Sequence, residues 1–138
     1  MAILISKDLL LKIYEETIYR DPSGNLIILN CNYETYVLTL CCLYGPNTDS
    51  PNFYEETLHH HIERLQADSE FTLIGGDWNI TLNQELDTHG YTHENNPKAK
   101  EKVIEFMKDK DLHDIFREFH PERKRYSWRQ FGGKNVLD

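Results

Sequence analysis

The chain has 138 residues, a formal net charge of −8, and 39% hydrophobic and 12% aromatic content. That suffices for one domain with a core but hardly for two, and it excludes a disordered, collagen-like or coiled-coil chain. No apolar run reaches the ~18 residues of a membrane span, and the opening MAILIS lacks the basic start, long apolar stretch and cleavage site of a signal peptide. A soluble intracellular protein, with no membrane partner, is therefore expected. The three cysteines, Cys31, Cys41 and Cys42, are odd in number, sit in apolar stretches and form no C-x-x-C pair. They read as small hydrophobes in a reducing compartment. The charge is uneven. Arg117, Arg123, Lys124, Arg125, Arg129 and Lys134 face only Glu118, Glu122 and Asp138, so the end of the chain is +3 and the first 116 residues are −11. An acidic body beside a basic, aromatic end suits a nuclease modestly, and suits an ordinary acidic protein with a basic tail as well.

In chain order, Ala2–Ser6 predicts a short buried strand and Leu10–Arg20 a second strand. Asp21-Pro22-Ser23-Gly24-Asn25 is a turn signal. Leu26–Asn30 and Tyr36–Tyr44 then predict a hairpin, and TYVLTLCCLY, apolar on both faces, predicts a sheet covered on both sides. Ser50 and Pro51 start a helix to about Gln66, with Leu58, Ile62 and Leu65 as its stripe. Phe71–Gly75 is a further buried strand, and a polar loop runs from Thr81 to Asn95. Asn96 and Pro97 repeat the cap-and-proline start for a helix carrying Val103, Phe106 and Met107. Leu112–Phe119 predicts an amphipathic helix with Leu112, Ile115, Phe116 and Phe119 on its apolar face, and Tyr126–Arg129 a short strand. The sum is a mixed α/β or α+β domain.

The sharpest local feature is Leu73-Ile74-Gly75-Gly76-Asp77-Trp78-Asn79. A buried strand empties onto two glycines and then offers a carboxylate and an amide two residues apart. At strand spacing both side chains face one way, toward a cleft at the strand end. A carboxylate there can take a proton from water, and the amide can hold that water or a phosphate oxygen. The same residue types also make an ordinary turn. Leu43-Tyr44-Gly45-Pro46-Asn47 is a second strand end: Tyr44 can bond a phosphate and Asn47 can brace the loop, or Tyr44 is a core residue before a Pro-Asn turn.

Ala2-Ile3-Leu4-Ile5-Ser6, LYGPN, GGDWN, Leu112-His113-Asp114-Ile115-Phe116-Arg117 with His120-Pro121, Tyr126-Ser127-Trp128 and Leu137-Asp138 occur in that order. The ordered set, covering essentially the whole chain, resembles the endonuclease domain of LINE-type (non-LTR) retrotransposons and, more broadly, apurinic/apyrimidinic endonucleases of the endonuclease/exonuclease/phosphatase class. The stretch from Leu86 to Pro121 is closer to the LINE branch. The resemblance implies an α+β fold that is part of a four-layer α/β sandwich, and Mg²⁺-dependent hydrolysis of a DNA phosphodiester. It implies DNA and the element's own reverse transcriptase as partners, and the nucleus as the place of action. It implies that Tyr44 contacts the scissile phosphate, that Asp77 positions or deprotonates the attacking water, and that Asn79 is its partner amide on the phosphate. Ser127 falls beside the DNA backbone, and Asp138 matches the aspartate that orients a catalytic histidine. Asn47, Arg125 and Arg129 complete the expected substrate contacts.

The family domain opens with a strand bearing Asn and another bearing the Glu that is the main Mg²⁺ ligand, and closes with a Ser-Asp-His motif. This chain opens at the segment that follows the first two and ends at Leu-Asp, with Val136 where an Arg is usual. The expectation is thus one partial domain over residues 1–138, without a metal ligand set of its own and inactive as it stands. One sheet face should then be incompletely covered, leaving Leu4, Ile28, Val37 or Leu40 exposed. The alternatives are a non-catalytic remnant of that domain, or a same-fold phosphatase or ribonuclease acting on another phosphodiester. Of the remaining chemistry-bearing residues, His59, His60 and His61 diverge by ~100° on a helix and read as a solvated face. His89 and His93, with Asp87 and Glu94 near but no cysteine, are not expected to bind zinc. Tyr126, Trp128 and Phe131 among Arg125, Arg129 and Lys134 can stack on bases or line a phosphate track, or be a buried Trp with a solvated basic rim.

Overall fold

The computed structural model describes residues 1–65, 69–90 and 93–126. Five strands, Leu11–Ile13 (β1), Tyr19–Arg20 (β2), Leu26–Tyr33 (β3), Tyr36–Tyr44 (β4) and Phe71–Asp77 (β5), form one mixed sheet. β3 and β4 are the predicted hairpin, in register from Leu26 opposite Leu43 to Tyr33 opposite Tyr36. Glu34, in the left-handed region at φ 53°, makes the turn between them. β1 and β2 both run antiparallel to β3. The single strand expected over Leu10–Arg20 is instead interrupted by a 3₁₀ turn at Glu15–Thr17. There the Thr17 hydroxyl lies 2.7 Å from the Tyr14 carbonyl and 3.1 Å from that of Asn30, a local side-chain bond that competes with the ladder. Ala2–Ser6 is not a strand, and Leu4 is 93% exposed.

β5 joins β4 in parallel, which requires a crossover. The crossover begins with a widened helix, Phe53–His59, bonded i→i+5, and continues as an α-helix at His60–Leu65 (α1). More residues per turn keep four-residue spacings on one face. Tyr54, Leu58 and Ile62 are therefore all fully buried, with Leu65 packed at the margin. The predicted stripe at Leu58, Ile62 and Leu65 holds, but its largest buried member, Tyr54, lies one step earlier. Gln84–Asp87 (α2) sits within the expected polar loop, capped by the Asn83 side chain, which accepts from the Glu85 and Leu86 amides. Pro97–Asp109 (α3) begins where Asn96-Pro97 predicted, and Val103 and Phe106 enter the core.

The core lies on one side of the sheet. Leu26, Ile28, Cys41 and Leu43 meet Tyr54, Leu58, Ile62, Ala99, Val103 and Phe106. The opposite side is partly open, against the expectation that β4 lies in a sheet covered on both faces. Phe71 is 53% and Leu73 59% exposed and Leu40 is half-buried, although Leu29 and Cys31 on that face are buried; Val37, also half-buried, lies on the helix-covered face with Thr39 and Cys41. Ile28, expected to be exposed, points into the helices and is 0% exposed, because its register partner Cys41 shares the covered face. The final helix among the described residues is Ile115–Phe119 (α4), shorter than predicted because Asp114 caps it through the Arg117 amide. Its supposed apolar face is not buried: Ile115 and Phe119 are exposed, while Leu112 packs on the core. Arg117 gives this segment its anchor. Its guanidinium pairs with Asp87 and donates to the carbonyls of His120 and Arg123.

The histidine triplet is only partly a solvated face. His60 is exposed, but His59 bonds Asp109 at 2.9 Å and His61 stacks on Tyr19 at 3.6 Å. Burial, then the charges of Arg64 and His60, pull the His61 imidazole below its ordinary pKa. Cys31, Cys41 and Cys42 are free thiols, and burial, with the neighbouring Cys42, pushes Cys41 up to about 12. No helix among the described residues is long and apolar enough to cross a membrane.

One buried polar link ties the hairpin to the crossover. The fully buried Thr39 hydroxyl donates to Asn30 Oδ1 at 2.9 Å, and Asn30 Nδ2 donates to the Leu65 carbonyl at 2.6 Å. Asn30→Ala removes both partners and leaves desolvated groups unpaired. An unsatisfied buried group costs about 1–3 kcal/mol, so urea unfolding of this variant is expected to show a lowered midpoint with an unchanged slope. An unchanged midpoint would mean that water reaches both groups.

Candidate active site

Because β4 and β5 are parallel, both end at the same edge of the sheet, and their last rung pairs Tyr44 with Asp77. Two motifs more than thirty residues apart in sequence are thereby neighbours. The Gly45 amide donates to the Asp77 carbonyl at 2.7 Å and extends the ladder one step beyond the strands. Tyr44 is 45% exposed and Asp77 is exposed. Both side chains are open to solvent, so the group forms a ledge at the strand ends.

Asn79 joins the ledge by a route that strand alternation does not describe. β5 stops at Asp77, and Asn79 lies in the left-handed region at φ 49°. Asp77 Oδ1 accepts the Asn79 amide at 3.0 Å, closing an Asx turn. Asn79 Nδ2 then reaches back to the Gly45 carbonyl at 2.6 Å. The turn that the sequence also allowed is therefore formed, and it carries the candidate residues Asp77 and Asn79. Asn47 lies 3.4 Å from the Tyr44 hydroxyl and donates to its oxygen, which leaves the phenolic hydrogen free to point outward. Tyr44, Asn47, Asp77 and Asn79 are brought together. Arg125 is exposed beyond α4, with no hydrogen bond or ion pair to this group among the described residues. Ser127, Arg129 and Asp138 lie outside the described residues, as do Trp128, Phe131 and Lys134.

Two glycines make the ledge possible. Gly76 has φ 139°, and a Cβ there would run into the Leu43 carbonyl. A Cβ on Gly45 would strike the Tyr54 hydroxyl and the Trp78 carbonyl. Tyr54 is the support that the sequence did not reveal. Its buried hydroxyl donates to the Trp78 carbonyl, and its ring lies parallel to the Trp78 indole at 6.4 Å. Burial first, and the Asp77 carboxylate second, push its phenol well above the usual range, so it stays a donor. The available signal was its position four residues before Leu58.

The resemblance implies Mg²⁺. Among the described residues no three His, Cys, Asp or Glu side chains gather as a metal site. At the ledge, Asp77 commits one oxygen to Asn79, and Asp49, in the adjoining loop, accepts from the Ala99 amide. These residues do not by themselves fit a resident cation. What they can do is donate hydrogen bonds to an oxyanion from Tyr44 and Asn79, and accept a proton at Asp77 Oδ2. No family model matches the chain.

Proposed function

We propose that the strand-end ledge binds a phosphodiester of DNA, and that the chain is the phosphate-binding and water-positioning part of a LINE-type DNA-nicking endonuclease. The reading rests on one observation: Tyr44 and Asp77 share the last rung of a parallel pair, with Asn79 bonded across to Gly45 between them. The phosphate would sit against the outward Tyr44 hydroxyl and the Asn79 carboxamide. Asp77 Oδ2 would take the proton of a water aimed at phosphorus. The finer fold we propose is part of a four-layer sandwich, a reading supported by the exposed Phe71 and Leu73 on the open sheet face. Arg123, Lys124 and Arg125, all exposed after α4, supply positive charge for the neighbouring backbone of the duplex. Mg²⁺, the reverse transcriptase of the same element and a nuclear site of action belong to this proposal.

The test is binding of a fluorescein-labelled DNA duplex at low salt, read by anisotropy. Tyr44→Phe and Asn79→Ala each remove one hydrogen bond to a charged group, at about 1.5 kcal/mol for an exposed site, so each is expected to weaken binding about tenfold. Arg125→Ala is expected to lower the salt slope without a site-specific loss. Absence of binding, or binding indifferent to both ledge variants, overturns the assignment.

A further inference from the structure

Asn96 stands at the N-cap position of α3, where an asparagine side chain ordinarily accepts an amide hydrogen of its own helix. It makes no such bond. The cap comes from elsewhere: Asp49 Oδ1, in the loop that follows β4, accepts the Ala99 amide at 2.8 Å. The Asn96 carboxamide is turned the other way, and its Nδ2 donates to the Asn79 carbonyl at 3.0 Å. Asn95 Nδ2 reaches the same oxygen at 3.2 Å. Of the two, Asn96 is buried, at 8% exposure, whereas Asn95 is exposed. The Asn96 bond is therefore the one shielded from competing water.

Two strained residues face each other across this bond. Asn79 has φ 49°, and Asn96 has φ 49° and ψ 58°, both left-handed. Such a conformation is disfavoured for a residue with a Cβ, though less for Asn than for most, and Asn96 adopts it directly before Pro97, where the chain prefers to be extended. Conformations of this kind persist only where surrounding bonds over-determine them. For Asn79 those bonds are the Asp77 carboxylate on its amide, Gly45 on its side chain, and Asn95 and Asn96 on its carbonyl. Without the last pair, only Asp77 and Gly45 would hold Asn79, and its carboxamide would be freer to leave Gly45.

We infer that Asn96 is a positioning residue for the ledge, holding the Asn79 main chain so that the Asn79 carboxamide lies between the ends of β4 and β5. With Asp49 on the other loop, the first turn of α3 is tied to both halves of the site, and Val103 and Phe106 fix that helix in the core. The role in phosphate binding rests on the function proposed above, but the positioning itself does not.

The test uses Asn96→Gly, which keeps the left-handed backbone and removes the donor, and Asn96→Asp, which keeps the shape and sets a carboxylate against the Asn79 carbonyl. The direct readout is the pair of Asn79 amide resonances, main chain and side chain, in a ¹H–¹⁵N spectrum assigned with the Asn79→Ala variant. Both Asn96 variants are expected to move these resonances while the Val103 and Phe106 amides stay in place. Asn79 resonances that do not move in a folded variant overturn the inference, and if Asn96→Gly does not fold, Asn96→Asp decides it. The second readout is affinity for the labelled duplex. Asn96→Gly is expected to weaken it about tenfold, and the Asn79→Ala, Asn96→Gly double variant to bind no more weakly than Asn79→Ala alone, because the two act through one group. Fully additive losses would also overturn the inference. A wild-type chain that ignores DNA while its Asn79 resonances still respond to Asn96 would sink the phosphate reading and leave the positioning role standing.

Discussion

Gly76→Ala is expected to be the most destabilising single methyl that can be added to this protein's strand ends. The new Cβ meets the Leu43 carbonyl, a main-chain atom of the central strand that cannot swing aside, at a residue whose φ is 139°. Strain at a sparsely populated backbone conformation costs about 1–3 kcal/mol, and forced overpacking a similar amount. The sum, about 2–6 kcal/mol, is a large fraction of the ~5–15 kcal/mol that holds a domain folded. Gly75→Ala is the control: nothing lies within 4 Å of a Cβ there, and φ is not positive. Urea unfolding should show a much lower midpoint for Gly76→Ala and a midpoint near wild type for Gly75→Ala. Equal midpoints would mean that the β4–β5 rung at Leu43 and Gly76 is looser than its register implies.

The second large effect concerns catalysis. This polypeptide, incubated alone with supercoiled plasmid and Mg²⁺, is expected to leave it essentially un-nicked. Asp77 is a single exposed carboxylate with one oxygen already bonded to the Asn79 amide. The described residues bring no cluster of ligating side chains beside it. Loss of one positioned acid–base group typically lowers a rate ~10²–10⁴-fold, and a ledge that does not fit a cation loses that contribution as well. Asp77→Ala should therefore change nothing measurable. Nicking by wild type that disappears in Asp77→Ala would show a competent site and refute the expectation. Equal nicking by both would point to a contaminating nuclease. Duplex binding without nicking is the combination that the proposed function requires of this chain.

Much of the architecture was legible because it is written in local chemistry. The Leu26–Tyr44 hairpin follows from two β-rich runs around a short polar turn. The crossover helix follows from Pro51 and its apolar stripe, and α3 from Asn96-Pro97 with Val103 and Phe106. The strand-end motifs Tyr44-Gly45-Pro46-Asn47 and Gly76-Asp77-Trp78-Asn79 stand out because apolar runs empty onto residues with no reason to be buried. Where local signals compete, the sequence misled. Leu4, Ile115 and Phe119 have the apolar side chains of core positions, yet they are exposed. Periodicity reports which face of an element is apolar, not whether another element arrives to cover it. Ile28 and Leu73 make the same point in reverse: both are strand residues of similar hydrophobicity, but the helices cover Ile28, whereas Leu73, on the edge strand β5, is 59% exposed.

By itself the sequence determined the elements that short-range chemistry controls: the hairpin, the proline-started helices, and the glycine-rich exit from β5. It also supplied the residue types, Tyr44, Asp77 and Asn79, that make a phosphate-binding ledge worth proposing. Only the tertiary structure decided that Tyr44 and Asp77 are partners on one rung, because parallel pairing joins segments separated by a whole helix and leaves no periodic trace in either. Only the tertiary structure decided that Asn79 is aimed by a left-handed turn rather than by strand alternation, and that Asp49, Tyr54 and Asn96 hold the loops in place. Those supports are single hydrogen bonds between residues far apart in the chain. Their energy depends on distance and burial in three dimensions, which spacing along the sequence does not encode.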